Sequence, residues 1–168
     1  MITKEKMNEV QINSVLRHIS NYQGTFALDE LQQVKLSEES TFLIINLDKR
    51  SQTGSHWIAL AINLTNIFVC DSLGGLLPTK SFPRALIAFL APLLKSRNLF
   101  MTKQLQPERS NLCGFYVILF VLEMARHHSF YDFVTVFSSN LQSNDNIIRF
   151  LFHKNLERYI REEATPNK

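Results

Sequence analysis

The sequence predicts an α+β domain: a central, mostly antiparallel sheet packed against one buried helix, with further helices flanking it. Three observations lead there. First, "TFLIINLD" (41–48), "SHWIALAINL" (55–64) and "NIFVCD" (66–71) are short runs rich in Ile, Val and Phe, bounded by polar residues, and read as buried strands. The last two flank a tight turn at Leu64–Thr65 and form a hairpin. Second, "NLCGFYVILFVLEMARHH" (111–128) is apolar nearly all round at its start, the mark of a helix buried in a core. Third, the elements run helix, strands, helix, strand and then several helices, which is not the regular alternation of a doubly wound parallel sheet.

The remaining elements follow from the same periodicities. "KEKMNEVQINSVLRHISN" (4–21) spaces Met7, Val10, Ser14 and Leu16 as one helical stripe, widened by Val15 and Ile19. "SFPRALIAFLAPLLKSRN" (81–98) opens on Ser81 as a cap with Pro83 in the first turn, and Pro92 should shorten the helix. "LFMTKQLQ" (99–106) reads as a strand. "SFYDFVTVFSSN" (129–140) and "NDNIIRFLFHKNLERYIREE" (144–163) read as two closing helices, the second capped by Asn144 or Asp145.

Composition narrows the class. The 168 residues suffice for one domain with a proper core; 45% are hydrophobic and 20% charged, so disorder is not expected. Thirteen Phe against five Gly indicate an aromatic-rich core. No apolar leader opens the chain, and the run Phe115–Leu122 is far short of a membrane span, so an intracellular or virion-borne protein is expected. Two cysteines make no disulfide framework, and no Cys/His cluster has zinc spacing. The net charge is +3, with the densest basic group along "RFLFHKNLERYIR" (149–161), either a solvated helix face or a polyanion-binding strip.

Reactive chemistry gathers where the buried helix begins. The first turn of a helix carries unpaired N–H groups and a partial positive charge, which stabilise a thiolate placed there. Cys113 holds that position, and Gly114 beside it leaves room for a substrate backbone. A cysteine entering an apolar helix is otherwise a small core residue, so the reading depends on partners. Among five histidines, His18 lies in the first helix, His127 and His128 at a helix end and His153 on the basic helix. His56 instead follows the exposing turn "TGS" and starts a strand. A two-residue turn at Leu64–Thr65 sets Ile58 opposite Asp71 and makes His56 and Asp71 diagonal neighbours on one face, within side-chain reach. Asp71 would then fix the imidazole tautomer. A turn one residue longer would break the pairing. Cys70 points to the opposite face and belongs in the core. Gln106, before the loop "PERSNL", is the candidate side-chain oxyanion donor beside the backbone N–H of Cys113. Gln104, two residues back on the same strand face, is its rival.

With these residues in order, "GSHWIALAI", "VCDSLGG" and "LQPERSNLCGFYV" resemble the motifs of the adenain-like cysteine peptidases, the family of the adenovirus maturation protease. They resemble more distantly the Ulp/SENP ubiquitin-like-protein proteases of the same clan. The resemblance spans most of the chain in element order, including "YQGTF" after the first helix. Gln106 stands seven residues before Cys113, as in adenain and one residue further than in the SUMO proteases. It implies a papain-like core in adenain order, with Cys113 as nucleophile, His56 as general base and acid, Asp71 as its orienting partner and Gln106 as oxyanion donor. Adenain has Glu where this chain has Asp71, the variant of the Ulp relatives. In SUMO proteases the Trp after the histidine packs over a glycine-rich substrate tail, which implies substrate binding for Trp57; strand alternation turns Trp57 away from His56 and supports a core role equally.

The expectation is a thiol protease, one domain over 1–168, cleaving viral or mobile-element structural precursors during particle maturation. A deubiquitinating or deSUMOylating peptidase is the alternative, and a catalytically inactive binding module is the alternative of another class. The partner is a protein substrate, either a capsid or core precursor or a ubiquitin-like protein. The resemblance leaves room for weak stimulation by DNA or an activating peptide. A disulfide-tethered peptide is not expected, because "KSRNLFMTKQLQ" (95–106) lacks the cysteine that adenain uses. No cofactor, metal or membrane partner is expected; a monomer in the host nucleus or virion is.

Overall fold

The computed structural model describes residues 6–37, 39–74 and 82–164. Its architecture is α+β, with one five-stranded sheet in chain order. The strands are β1 (Tyr22–Ala27), β2 (Ser40–Asn46), β3 (Trp57–Asn63), β4 (Asn66–Cys70) and β5 (Asn98–Met101). The centre, β2–β3–β4, is antiparallel, while the outer pairs β1–β2 and β4–β5 are parallel, so the sheet is mixed. The parallel edges arise because a helical segment separates each outer strand from its neighbour in sequence, and such a connection returns the chain in the same direction.

The central strands are apolar on both faces because each face carries a layer. Leu43, Ile45, Ile58, Leu60, Ile62, Ile67 and Val69 pack with Leu86 and Leu90 of α2 (Arg84–Leu90). Phe42, Ile44, Ala59, Ala61 and Cys70 face α3 (Cys113–Ala125). Ala59 and Ala61 are small, which lets an all-apolar helix lie close on the sheet. The first ten residues of α3, Cys113–Leu122, are all buried. That helix is then enclosed by α1 (Glu9–Leu16), α4 (Phe130–Thr135) and α5 (Leu141–Ala164), with Phe115 against Phe152 and Phe120 against Phe133. Among the described residues no helix is long and apolar enough to cross a membrane.

Several boundaries differ from expectation for identifiable reasons. The first helix begins at Glu9, because Asn8 and Gln11 form a reciprocal capping box that leaves Met7 outside. β1 was not expected as a strand: it is short and interrupted at Gly24, where φ is +114° and the register with β2 shifts. The helix of 81–98 ends at Leu90 and resumes only as a 3-10 turn after Pro92, while its expected cap Ser81 lies outside the described residues. β5 stops at Met101, and 102–106 continues as irregular chain bonded to the end of β4. Asn144 and Asp145 do not cap α5; the helix starts at Leu141, and Asn144 is a fully buried interior residue. Most of the basic strip at 149–161 falls on side chains outside those described.

Candidate active site

The β3–β4 hairpin has the register that a two-residue turn dictates: Ile62 pairs with Ile67, Leu60 with Val69 and Ala59 with Cys70. Asn63 caps the turn by accepting from the backbone N–H groups of Thr65 and Asn66. Antiparallel pairing sets the start of β3 beside the end of β4, and so brings His56 to Asp71. His56 Nε2 lies 2.7 Å from Asp71 Oδ1. The same Asp71 oxygen accepts from the Leu73 N–H at 3.2 Å. Thr102 Oγ1 secures the Asp71 backbone, lying 2.9 Å from both its N–H and its C=O.

His56 is 7% exposed, more buried than a residue at an exposing turn should be. Gly54 explains part of this. Its φ of +80° belongs to the left-handed region, and a Cβ there would fall 2.3 Å from Asn46 Nδ2, so only glycine folds the turn this tightly against β2.

Cys113 is the first residue of α3 and is 3% exposed. Its thiol lies beside the His56 imidazole, close enough for each group to shift the ionisation of the other. With Nε2 on Asp71, the ring's Nδ1 is the atom left for sulfur. Burial alone would push the thiol up, but His56, the Trp57 backbone N–H and the Lys6 charge outweigh it and hold Cys113 below the ordinary thiol range. Burial would likewise depress His56; the hydrogen bond to Asp71 and the neighbouring Cys113 thiolate overcome it and raise the imidazole to about 9. Near neutral pH the two shifts together favour a thiolate–imidazolium pair.

Gln106 is 1% exposed. Its Oε1 accepts from Ser72 Oγ at 2.6 Å, and its Nε2 donates to the Ser110 carbonyl at 2.7 Å. Gln104 has a different occupation: it is half-buried, and its amide donates to the Gln106 carbonyl at 3.1 Å. Trp57 is buried on the α3 face, and its indole N–H donates to the Met7 carbonyl at 3.0 Å. The space over Gly114 holds the Met7 side chain, since a Cβ on Gly114 would sit 2.7 Å from Met7 Cβ. Met7 and Trp57 also border a cleft of about 290 Å³, lined further by Lys6, Thr25, Arg50 and Gly54. Cys70, by contrast, is fully buried beneath α3 and its thiol is pushed well up by burial.

Two residues of this site have no counterpart in the sequence reading. Ser72 supports Gln106 through its side chain and, through its carbonyl, accepts from the N–H groups of Leu105 and Gln106 at 2.8 and 2.9 Å. Met7 was assigned to a helical stripe and instead reaches the nucleophile's neighbour. Among the described residues no group of three His, Cys, Asp or Glu side chains is placed to hold a metal ion.

Known proteins share this arrangement of elements. The ASFV pS273R protease superposes with a TM-score of 0.64 at 15% identity, over 90% of this chain and 67% of that one. The central domain of the Lpg1148 protein from Legionella pneumophila gives a TM-score of 0.57 at 8% identity, over 94% and 99%. At such identities the likeness is one of fold. No curated protein sequence matches the chain. The model of the Ulp1 protease family, C-terminal catalytic domain, matches residues 36–161, and the chain therefore belongs to this family of cysteine proteases.

Proposed function

We propose that the protein is a cysteine endopeptidase that matures viral or mobile-element particles by cutting structural precursor proteins after small residues such as Gly. The observation that carries the chemistry is the 2.7 Å contact of His56 with Asp71, beside the Cys113 thiol at the head of α3. In this reading the Cys113 thiolate attacks the scissile carbonyl, and its carbon becomes tetrahedral. The oxyanion accepts hydrogen bonds from the Cys113 backbone N–H and from the second N–H of the Gln106 amide, the first being held by Ser110. His56 gives its proton to the leaving amine, and the C–N bond breaks. Water, deprotonated by His56, then attacks the thioester, and the acid product leaves with Cys113 restored. Asp71 holds the ring and balances the imidazolium.

The viral reading is supported by the adenain-like spacing of Gln106 and Cys113 and by the fold shared with a protease of ASFV. Membership of the Ulp1 protease family favours a second reading, a deubiquitinating or deSUMOylating peptidase with the same chemistry. In either case the substrate chain passes along the cleft that Met7 and Trp57 border, and Gly114, covered by the Met7 side chain, supports that wall without meeting the substrate.

A fluorogenic peptide ending in Gly before the scissile bond tests the chemistry. Wild type should turn it over and Cys113→Ala should not; equal rates would remove the peptidase mechanism. Ubiquitin and SUMO carrying a C-terminal electrophile separate the substrates. A covalent adduct at Cys113 with either would displace the maturation reading, and none is expected.

A further inference from the structure

The consecutive residues Asp71 and Ser72 send their side chains to different partners. Asp71 reaches His56 at 2.7 Å, and Ser72 Oγ reaches Gln106 Oε1 at 2.6 Å. Ser72 is fully buried and Gln106 is 1% exposed, so water does not compete for either group. A carboxamide has two unlike ends that differ little in shape, and only its hydrogen-bond partners decide which way it faces. The Ser72 hydroxyl donates to the oxygen end. That fixes the NH2 end toward the loop that leads to Cys113, where one of its hydrogens is donated to the Ser110 carbonyl at 2.7 Å. Rotating the amide by half a turn would set the oxygen against the Ser110 carbonyl, acceptor against acceptor. It would also offer a lone pair, in place of an N–H, to any developing oxyanion.

We infer that Ser72 is a positioning residue for the reaction: its hydroxyl fixes the orientation of the Gln106 amide so that an N–H faces the oxyanion. This rests on Gln106 being the oxyanion donor. The backbone of Ser72 serves the same end, because its carbonyl accepts from the N–H groups of Leu105 and Gln106 and anchors the segment that carries the amide. One dipeptide at the end of β4 thereby sets both the base and the oxyanion donor, each through a different side chain. Donors must be in place before charge develops, and a misplacement of about 1 Å can cost roughly 100-fold in rate.

The test is a double-mutant cycle on peptide hydrolysis with Ser72→Ala, Gln106→Ala and the pair. Ser72→Ala should lower kcat about 10- to 100-fold with KM within about 2-fold, a part of the effect of losing the donor altogether. In the Gln106→Ala background the same change should cost nothing further. A peptide aldehyde, whose thiol adduct carries an oxyanion, should lose affinity by the same factor as kcat/KM. The pH dependence of Cys113 alkylation, which reports the Cys113–His56 pair alone, should be unmoved. Full kcat in Ser72→Ala, or an equal further loss in the Gln106→Ala background, would overturn the role of Ser72. Full kcat in Gln106→Ala would overturn the oxyanion assignment itself, so the two failures are distinguishable. Should Ser72→Ala not fold, as judged by its melting curve, Ser72→Cys keeps the buried volume with a poor donor and should show the same loss of kcat.

Discussion

The Trp57 indole donates its N–H to the backbone carbonyl of Met7, fifty residues earlier in the chain, at 3.0 Å. This bond ties the segment before α1 to the start of β3, and the Met7 side chain completes the tie by filling the space over Gly114. Met7→Ala should therefore cost about 2 kcal/mol of stability in urea unfolding, the lower end for truncating a buried methionine. Met7 touches no reacting atom, so KM for a peptide should change more than kcat. Gly114→Ala should also destabilise by overpacking, about 1–3 kcal/mol. The double variant should be less destabilised than the two losses added together, because the added methyl occupies what Met7→Ala vacates.

The pH profile should be a bell whose limbs belong to the coupled pair. Activity rises as pH passes the lowered thiol value and falls as the imidazolium, raised to about 9, loses its proton. Iodoacetamide should alkylate Cys113 at pH 6–7 faster than an unperturbed thiol, and His56→Ala should move that reactivity up toward the ordinary thiol range. Removing the thiolate by Cys113→Ala should lower the His56 value, read from its ring proton shifts in NMR.

Stability should carry the same signature. The folded imidazole value lies above the unfolded value of about 6.5. Its contribution is therefore fully present below about pH 6.5 and is lost as pH rises through about 9. Asp71→Asn removes one of the contacts that raise His56. The stability gap between wild type and Asp71→Asn should narrow from pH 6 to pH 9, measured by urea unfolding at each pH.

The two glutamines should separate in kinetics. Gln106→Ala removes the proposed donor and should lower kcat about 100- to 1000-fold. Gln104→Ala removes only a half-buried bond to the Gln106 carbonyl and should cost less than about 10-fold. Equal losses would return the assignment to an open question between them.

Asn144 reaches this segment from α5. Fully buried, its amide donates to the carbonyls of Leu105 and Ser138, each at 2.9 Å, while its oxygen accepts from the Ser138 N–H. Asn144→Ala leaves these buried groups unpaired and should destabilise by about 2–4 kcal/mol, with kcat reduced because Leu105 adjoins Gln106. A melting curve and the peptide assay on one preparation check both effects.

What the sequence disclosed and what it withheld divide along physical lines. His56 and Asp71 could be placed together because a two-residue turn determines the whole hairpin register, and period-2 alternation then assigns every side chain to a face. The burial of α3 was legible because ten consecutive residues show no polar side. Ser72 was not, because its role depends on a contact across 34 residues with an irregular segment, and no local period records that. Met7 misled for a related reason: its spacing suits the helical stripe, but the Asn8–Gln11 box starts the helix after it. Asn144 looked like a cap because Asn favours that position, and tertiary burial overrode the preference.

Cys70 and Cys113 lie against the same helix, yet one thiol is sealed under it and the other is activated at its head. Alkylation of the native protein should therefore consume one equivalent of reagent quickly, and the second only as fast as the core opens. The slow equivalent is a clock for global unfolding that needs no introduced label. Its rate, compared with peptide turnover in any variant, distinguishes a damaged reaction centre from a loosened protein.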